Sequence, residues 1–174
     1  DAELEGIDVA ANWSIDALGG SIDVRLIGTL NMTKEIAIPG ADTYDCSGLI
    51  SSRCYPQPEW RHTVEASYDS NSWWAVTARW RHFGGVDYDG ALSNGKSEGI
   101  DTIVQANSDD GENYLDLTAT LRVMDNAELL VGINNILDEE PPLVGGSLSS
   151  NANATAGFYD TLGQYLFAQA TFRF

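Results

Sequence analysis

The sequence predicts an all-β chain: a stretch of transmembrane antiparallel β-barrel wall, with short turns on one rim and long loops on the other. Three observations predict it. Apolar and polar residues alternate with period two through most of the chain, and helical periodicity is absent. Tight turns and long connections take turns between those runs, as they do in strand-spanned membranes. The last stretch keeps the alternation to the end, with Leu166, Ala168, Ala170, Phe172 and Phe174 on one side. No apolar run reaches the roughly 20 residues a membrane helix requires, which leaves strands as the spanning element.

Seven runs carry the alternation. Gly6–Asp16 puts Ile7, Val9, Ala11, Trp13 and Ile15 on one side. Ser21–Thr33 sets Ile22, Val24, Leu26, Leu30 and Met32 against Asp23, Arg25, Thr29 and Asn31. Trp60–Tyr68 sets Trp60, Val64, Ala66 and Tyr68 against Arg61, Thr63, Glu65 and Ser67. Trp73–Phe83 sets Trp74, Val76, Ala78 and Trp80 against Thr77, Arg79 and Arg81. Tyr114–Met124 sets Leu115, Leu117, Ala119, Leu121 and Val123 against Asp116, Thr118, Thr120 and Arg122. Ala127–Ile136 is the sixth run and Tyr159–Phe174 the seventh.

Ala17-Leu-Gly-Gly20, Asp69-Ser-Asn-Ser72 and Asp125-Asn126 read as tight turns, whereas Lys34–Glu59, Gly84–Asn113 and Leu137–Phe158 read as long loops. One face must stay continuous across each hairpin. A three-residue connection through Asp125 sets Arg122 opposite Glu128, and a four-residue connection at Ala17–Gly20 sets Asp16 opposite Ser21 and Asn12 opposite Arg25. The faces then match. Charged groups share an inward, wet face: Arg61, Glu65, Arg79, Arg81, Asp116, Arg122 and Glu128. Rings bracket an aliphatic band on the other face. Trp13, Tyr68 and Trp74 lie toward the short turns, and Trp60 and Trp80 toward the long loops, as in an aromatic belt at a membrane boundary.

Seven strands are an odd number and would leave two unpaired edges in lipid. The runs are therefore expected to be the C-terminal part of a larger barrel or half of a split one. The chain opens on Asp1-Ala-Glu-Leu-Glu without the basic start and apolar stretch of a signal peptide, which fits a removed leader or an internal start. Net charge is -17, with 9 basic against 26 acidic residues, and this argues against nucleic acid as a partner. Many acids fall in Asp42–Glu59, Asp87–Glu112 and Asp138–Glu140, so the loops are acidic.

The segment Val131-Gly-Ile-Asn-Asn-Ile-Leu-Asp138 resembles the penultimate-strand motif of TonB-dependent outer-membrane receptors. Glu139–Gly146 and Asn151–Leu162, with Gly157-Phe-Tyr-Asp160, look like a subgroup with a long last loop. Tyr165–Phe174 is similar to the family's final strand. Cys46-Ser-Gly-Leu49 through Cys54, followed by Pro56-Gln-Pro-Glu-Trp-Arg-His62, resembles that subgroup's disulfide-bearing loop. The resemblance implies a barrel of about 22 strands filled by an N-terminal plug and powered by the TonB complex. It places this chain in the outer membrane of a Gram-negative cell, among lipids, beside the remaining strands and the plug. The alternation ending in Phe174 would also be the signal read by the barrel-assembly machinery. The activity it implies is active uptake of a nutrient such as a siderophore or a carbohydrate, not enzymatic turnover.

Cys46 and Cys54 have seven residues between them, and an oxidising cell surface would join them, whereas a metal would need two further soft ligands. His62 and His82 fall at strand ends on the outward face, where interfacial filling explains them, and no nucleophile elbow is present. Asp87-Tyr-Asp-Gly90 and Asp109-Asp-Gly111 have acid spacing suited to calcium but lack the full loop pattern, so no cofactor or metal is expected beyond that alternative. Tyr44, Tyr88, Phe158 and Tyr159 are loop rings placed to stack on a ligand. Two rival architectures remain. A small passive barrel or adhesion protein would need Gly99–Asn107 as an eighth strand, and a soluble β-sandwich would pack the apolar face on a second sheet.

Overall fold

A computed structural model describes residues 2–37, 43–51, 54–88, 111–143, 154–155 and 157–174. Among these residues ten strands follow one another: β1 (Ala2–Ala17), β2 (Gly20–Ile36), β3 (Tyr44–Asp45), β4 (Leu49–Ile50), β5 (Trp60–Asp69), β6 (Trp74–Phe83), β7 (Asp87–Tyr88), β8 (Glu112–Met124), β9 (Ala127–Asn134) and β10 (Tyr165–Phe172). The seven long strands form one antiparallel meander in the order β1-β2-β5-β6-β8-β9-β10, with β3 alongside β2. The two-residue strands β4 and β7 pair in parallel in a separate ribbon. The large sheet is open: among the described residues β1 and β10 each have a neighbour on one side only.

Turn chemistry fixes the register. Ala17 pairs with Gly20, so the β1–β2 turn is Leu18-Gly19, with φ of 55° and 79°. Two left-handed residues make the turn whose twist suits a hairpin. Gly20 is required for a different reason, because a Cβ there would lie 2.0 Å from the Asp69 carbonyl oxygen of β5. Between β5 and β6, Asp69 accepts the Asn71 amide at 2.8 Å, and the left-handed Asn71 (φ 53°) reverses the chain. Met124 pairs with Ala127 across Asp125-Asn126.

The register carries one lateral row across all seven strands: Trp13, Val24, Ala66, Ala78, Leu117, Ile133, Leu166. The row two residues nearer the short turns is Ile15, Ile22, Tyr68, Val76, Ala119, Val131, Ala168. Neither contains a charged side chain. The row between them faces the other way: Ser14, Asp23, Ser67, Thr77, Thr118, Gly132, Phe167. The sheet therefore has one apolar face and one mainly polar face, built by period-two geometry alone.

Several boundaries differ from the sequence reading. The first two strands are longer at the loop side, and β2 runs on to Ile36. The sixth run stops at Asn134, because Asn135 turns left-handed (φ 49°) and puts its side chain to other use. The seventh begins at Tyr165 rather than Tyr159. Asp160 instead caps its own turn through the Leu162 amide at 3.2 Å, and Gly163 (φ 69°) reverses the chain before the strand starts. Gly99–Asn107 lies outside the described residues, as do Asp89, Gly90, Asp109 and Asp110 of the acidic loop pattern.

Candidate functional site: the polar face and its loop layer

The polar face holds its charges in register. Across β1, β2, β5, β6 and β8 one row reads Asn12, Arg25, Glu65, Arg79, Asp116, with charge alternating in sign from Arg25 on. Asp116 is the hub. Its side chain is 2% exposed and takes the Arg79 Nε at 3.0 Å, the Arg81 Nε at 2.9 Å and the Arg81 Nη2 at 2.9 Å. The Asn135 backbone amide adds a further bond at 2.9 Å. A carboxylate this enclosed is tenable only with its oxygens saturated, and here they are. Nearer the short turns, Arg122 meets Asp69 and donates to the Ser72 carbonyl at 2.9 Å. Arg122 also faces Glu128 in register, and Glu128 itself bonds Arg173 at 2.9 Å. The Arg61 side chain, by contrast, forms no ion pair among the described residues.

The stretch that follows β9 is a pair of side-chain clamps. Asn135, fully buried, donates Nδ2 to the Glu139 carbonyl at 2.8 Å and accepts the Glu139 amide on Oδ1 at 2.9 Å. Asp138 accepts the Gln164 amide at 2.9 Å and so fixes where β10 begins. Gln164 returns a bond from Nε2 to the Ile136 carbonyl at 2.9 Å.

Above the strand ends the loops form a layer with its own interior. Cys46 and Cys54 are joined by a disulfide with Cα atoms 5.7 Å apart, and both are buried. Gly48 donates to Gln57 at 2.7 Å, Gln57 to Leu49 at 3.2 Å and Asp87 to Gly48 at 2.8 Å, which lashes β4 and β7 to the disulfide loop. Ile50 and Val86 are buried in it. The last loop joins this layer: the Phe158 ring stacks on Tyr55 at 5.7 Å, and Asp160 bonds Arg81 at 3.2 Å.

The four ring positions expected to meet a ligand have separate fates. Tyr159 requires correction: it is 7% exposed, its ring lies against Phe83 at 5.6 Å, and burial pushes its phenol well above the ordinary range, so it is filling rather than a contact surface. Tyr44 is on β3, paired with Ile36, rather than in an open loop. Tyr88 is placed by its backbone, in register with Ile50. Phe158 remains at a cavity mouth, with Tyr55, which the sequence reading had not singled out, as its neighbour. Asp160 and Asn135 were also missed. An Asn-Asn pair ahead of an aliphatic residue was the available sign for Asn135, because asparagine tolerates the left-handed turn it makes.

On the apolar face the rings gather at two levels. Tyr68 and Trp74 meet at 5.2 Å near the short turns, where the Tyr68 hydroxyl caps the Leu18 carbonyl at 3.0 Å. Trp60 and Trp80 gather with His62 and His82 near the loops. The Trp60 indole donates to His62 Nδ1 at 2.8 Å and the Trp80 indole to Asn113 Oδ1 at 2.9 Å, so both ring N–H groups are satisfied without water. The Trp60 ring lies over Gly28, where a Cβ would come within 2.5 Å of it. Trp13, in register with Val24, is 56% exposed. On β10, Leu166, Ala168, Ala170 and Phe172 face this same side opposite Ile133, Val131, Leu129 and Ala127, and Phe174 follows the strand end.

No protein-family model, curated protein or solved structure matches this chain.

Proposed function

We propose that this chain is wall and external loop layer of a transmembrane β-barrel in the outer membrane of a Gram-negative cell, the C-terminal part of a TonB-dependent uptake receptor. One observation carries the membrane reading: several large side chains of the apolar face are left exposed. Leu117 is 39% exposed, Phe172 62% and Leu166 79%, while Asp116 and Asn135 are buried. Leaving a large apolar side chain in water instead of an apolar medium forgoes about 1.5–3 kcal/mol. Such rows across seven strands favour hydrocarbon as the contacting phase. A sandwich would place a second sheet over Leu117; among the described residues the other sheet is the two-residue ribbon β4–β7.

The larger barrel rests on the two open edges. In hydrocarbon an unpaired strand edge leaves a row of backbone groups without partners, so β1 and β10 need neighbours. The remaining strands of a barrel of about 22 supply them, and a plug and the TonB complex supply gating and energy. The receptor assignment itself rests on the motif Val131–Asp138 and the closing alternation to Phe174.

Tryptophan fluorescence in vesicles of brominated lipid tests the membrane part. Trp60, Trp74 and Trp80 should be quenched at two depths. A protein that stays in solution without detergent, with tryptophans reached only by aqueous quenchers, would overturn it. Uptake that persists without the TonB complex would leave a barrel but remove the receptor assignment.

A further inference from the structure

The polar face contains a cavity of about 340 Å³ at its loop end. Its floor and walls are Ile27, Arg61, Thr63, Phe83 and Tyr114, and Phe158 leans over it from the last loop. That volume suits a ring-sized small molecule. The chemistry of its lining narrows the class.

Arg61 is the informative group. With 26 acids against 9 bases, an inward arginine on this face is expected to find a carboxylate, and Arg79, Arg81, Arg122 and Arg173 all do. Arg25 has Glu65 as its cross-strand neighbour. The cross-strand neighbours of Arg61 are Thr29 and Phe83, which offer no charge. Thr29 already donates to Asp8 at 2.9 Å. Arg81, on the same cavity, is spent on Asp116 and Asp160. A guanidinium has donors and no acceptor, and its planar fork matches a carboxylate. Around it stand ring faces. One side of Tyr114 is covered by Arg81 at 5.1 Å, and Phe158 is backed by Tyr55, so the rings are held in place rather than free to collapse inward.

We infer that this cavity binds a ring-bearing carboxylate, with the carboxylate on Arg61 and the ring between Phe83 and Phe158. The inference rests on the polar face being the wet inner side of the proposed barrel and names the class of ligand that side takes. The acidic loops then act as a rim that repels free anions, and Arg61 is the local exception that selects one. A sugar acid and an aromatic acid share this chemistry, and the ring distinguishes them.

The test is calorimetric titration of the full-length protein in detergent micelles with galacturonate, benzoate and neutral galactose. Galacturonate or benzoate should bind at least about tenfold tighter than galactose, the loss expected when a charged hydrogen-bonded partner is removed. Whichever acid is tighter identifies the ring. Arg61→Gln should abolish the preference, and Arg61→Lys, which keeps the charge and loses the fork, should retain part of it. Phe158→Ala should weaken both acids and leave the ratio to galactose. Arg61 is exposed, so these variants should keep the parent's circular dichroism; if Arg61→Gln does not fold, Arg61→Lys and Phe158→Ala carry the test. Neither acid binding tighter than galactose, no binding of either acid, or an acid preference untouched in the Arg61 variants would overturn the inference. Lipid quenching decides the membrane reading separately: a protein that binds galacturonate but is not quenched keeps the cavity and loses the barrel, and the reverse result loses the cavity alone.

Discussion

The sheet and the loop layer use apolar residues in opposite ways. In the loop layer a small set is hidden: Cys46, Ile50, Cys54 and Val86 are each at most 3% exposed. In the sheet several are displayed, among them Trp13 at 56% and Leu166 at 79%, while the Asp116 carboxylate is enclosed at 2%. One rule explains both. Apolar surface goes to whatever apolar phase is available, and for the loops that phase is the protein itself, whereas for the sheet it is proposed to be lipid. The loop layer is built as an ordinary small core, held by a disulfide because it is too small to hold itself. The sheet is proposed to be an interface whose other half is lipid.

Asp116 is where the comparison breaks most severely. It belongs to the sheet but ties in Arg79, Arg81 and the Asn135 turn, and through Arg81 it reaches Asp160 of the last loop. Asp116→Ala leaves two guanidinium groups without their shared carboxylate. Breaking a buried ion pair costs about 3–5 kcal/mol, and the arginines here are 44% and 33% exposed, so about 3–4 kcal/mol is expected. Urea unfolding in bilayers should show that loss, with hydrogen exchange rising at Asn135. A loss under 1 kcal/mol would mean that the hub is solvated in the assembled protein.

The next residue tests the opposite face. Leu117 lies in the central apolar row between Ala78 and Ile133. Leu117→Arg should cost about 2–3 kcal/mol in a bilayer, the range for a cation on a lipid-facing strand near mid-depth. In water the same change at a residue 39% exposed should cost little. Adjacent substitutions thus report on two solvents. If Leu117→Arg is neutral in vesicles, the apolar face is not against hydrocarbon and the two regions do not differ as argued.

The sheet was the legible region. Period-two alternation assigns strand residues to faces, and the structure has the expected pairings of Asn12 with Arg25 and Arg122 with Glu128, the second reached by the two-residue Asp125-Asn126 turn and a register shift between Arg122 and Met124 in place of a three-residue connection. The loop layer was not legible, because its order comes from contacts between segments distant in sequence. Nothing local to Tyr159 says that it will be covered by Phe83, 76 positions earlier. Nothing local to Asp160 says that it will reach Arg81, 79 positions away. The strand-end errors share that origin. Runs six and seven were drawn too long because clamps from Asn135 and Asp138 decide where the ladder stops, and alternation continues past the point where pairing does. Of the candidate site, the charged row was visible, and the solitude of Arg61 was not, since it depends on what four other arginines find.

The smallest expected effect is the most discriminating about how the two regions are joined. Replacing Cys46 and Cys54 together by serine opens a loop of nine residues, counting both ends. The chain-entropy estimate for a loop that short is about 2–3 kcal/mol, and native strain commonly lowers it to about 2. If the loop layer is a separate core, that loss stays local. Exchange protection should fall at the Ser51 amide, which bonds the Cys54 carbonyl, and at the Asp87 amide, which bonds Gly48. The β5–β6 ladder from Val64–Trp80 to Tyr68–Val76 should keep its protection. The Tyr55–Phe158 stack is the contact through which any loosening would spread to the last loop, so the Asp160–Arg81 bond is the next place to look. Protection lost equally along β5 and β6 would mean that sheet and loops unfold as one cooperative unit, and the division between a self-contained core and a lipid-facing wall would not describe how this protein is held together.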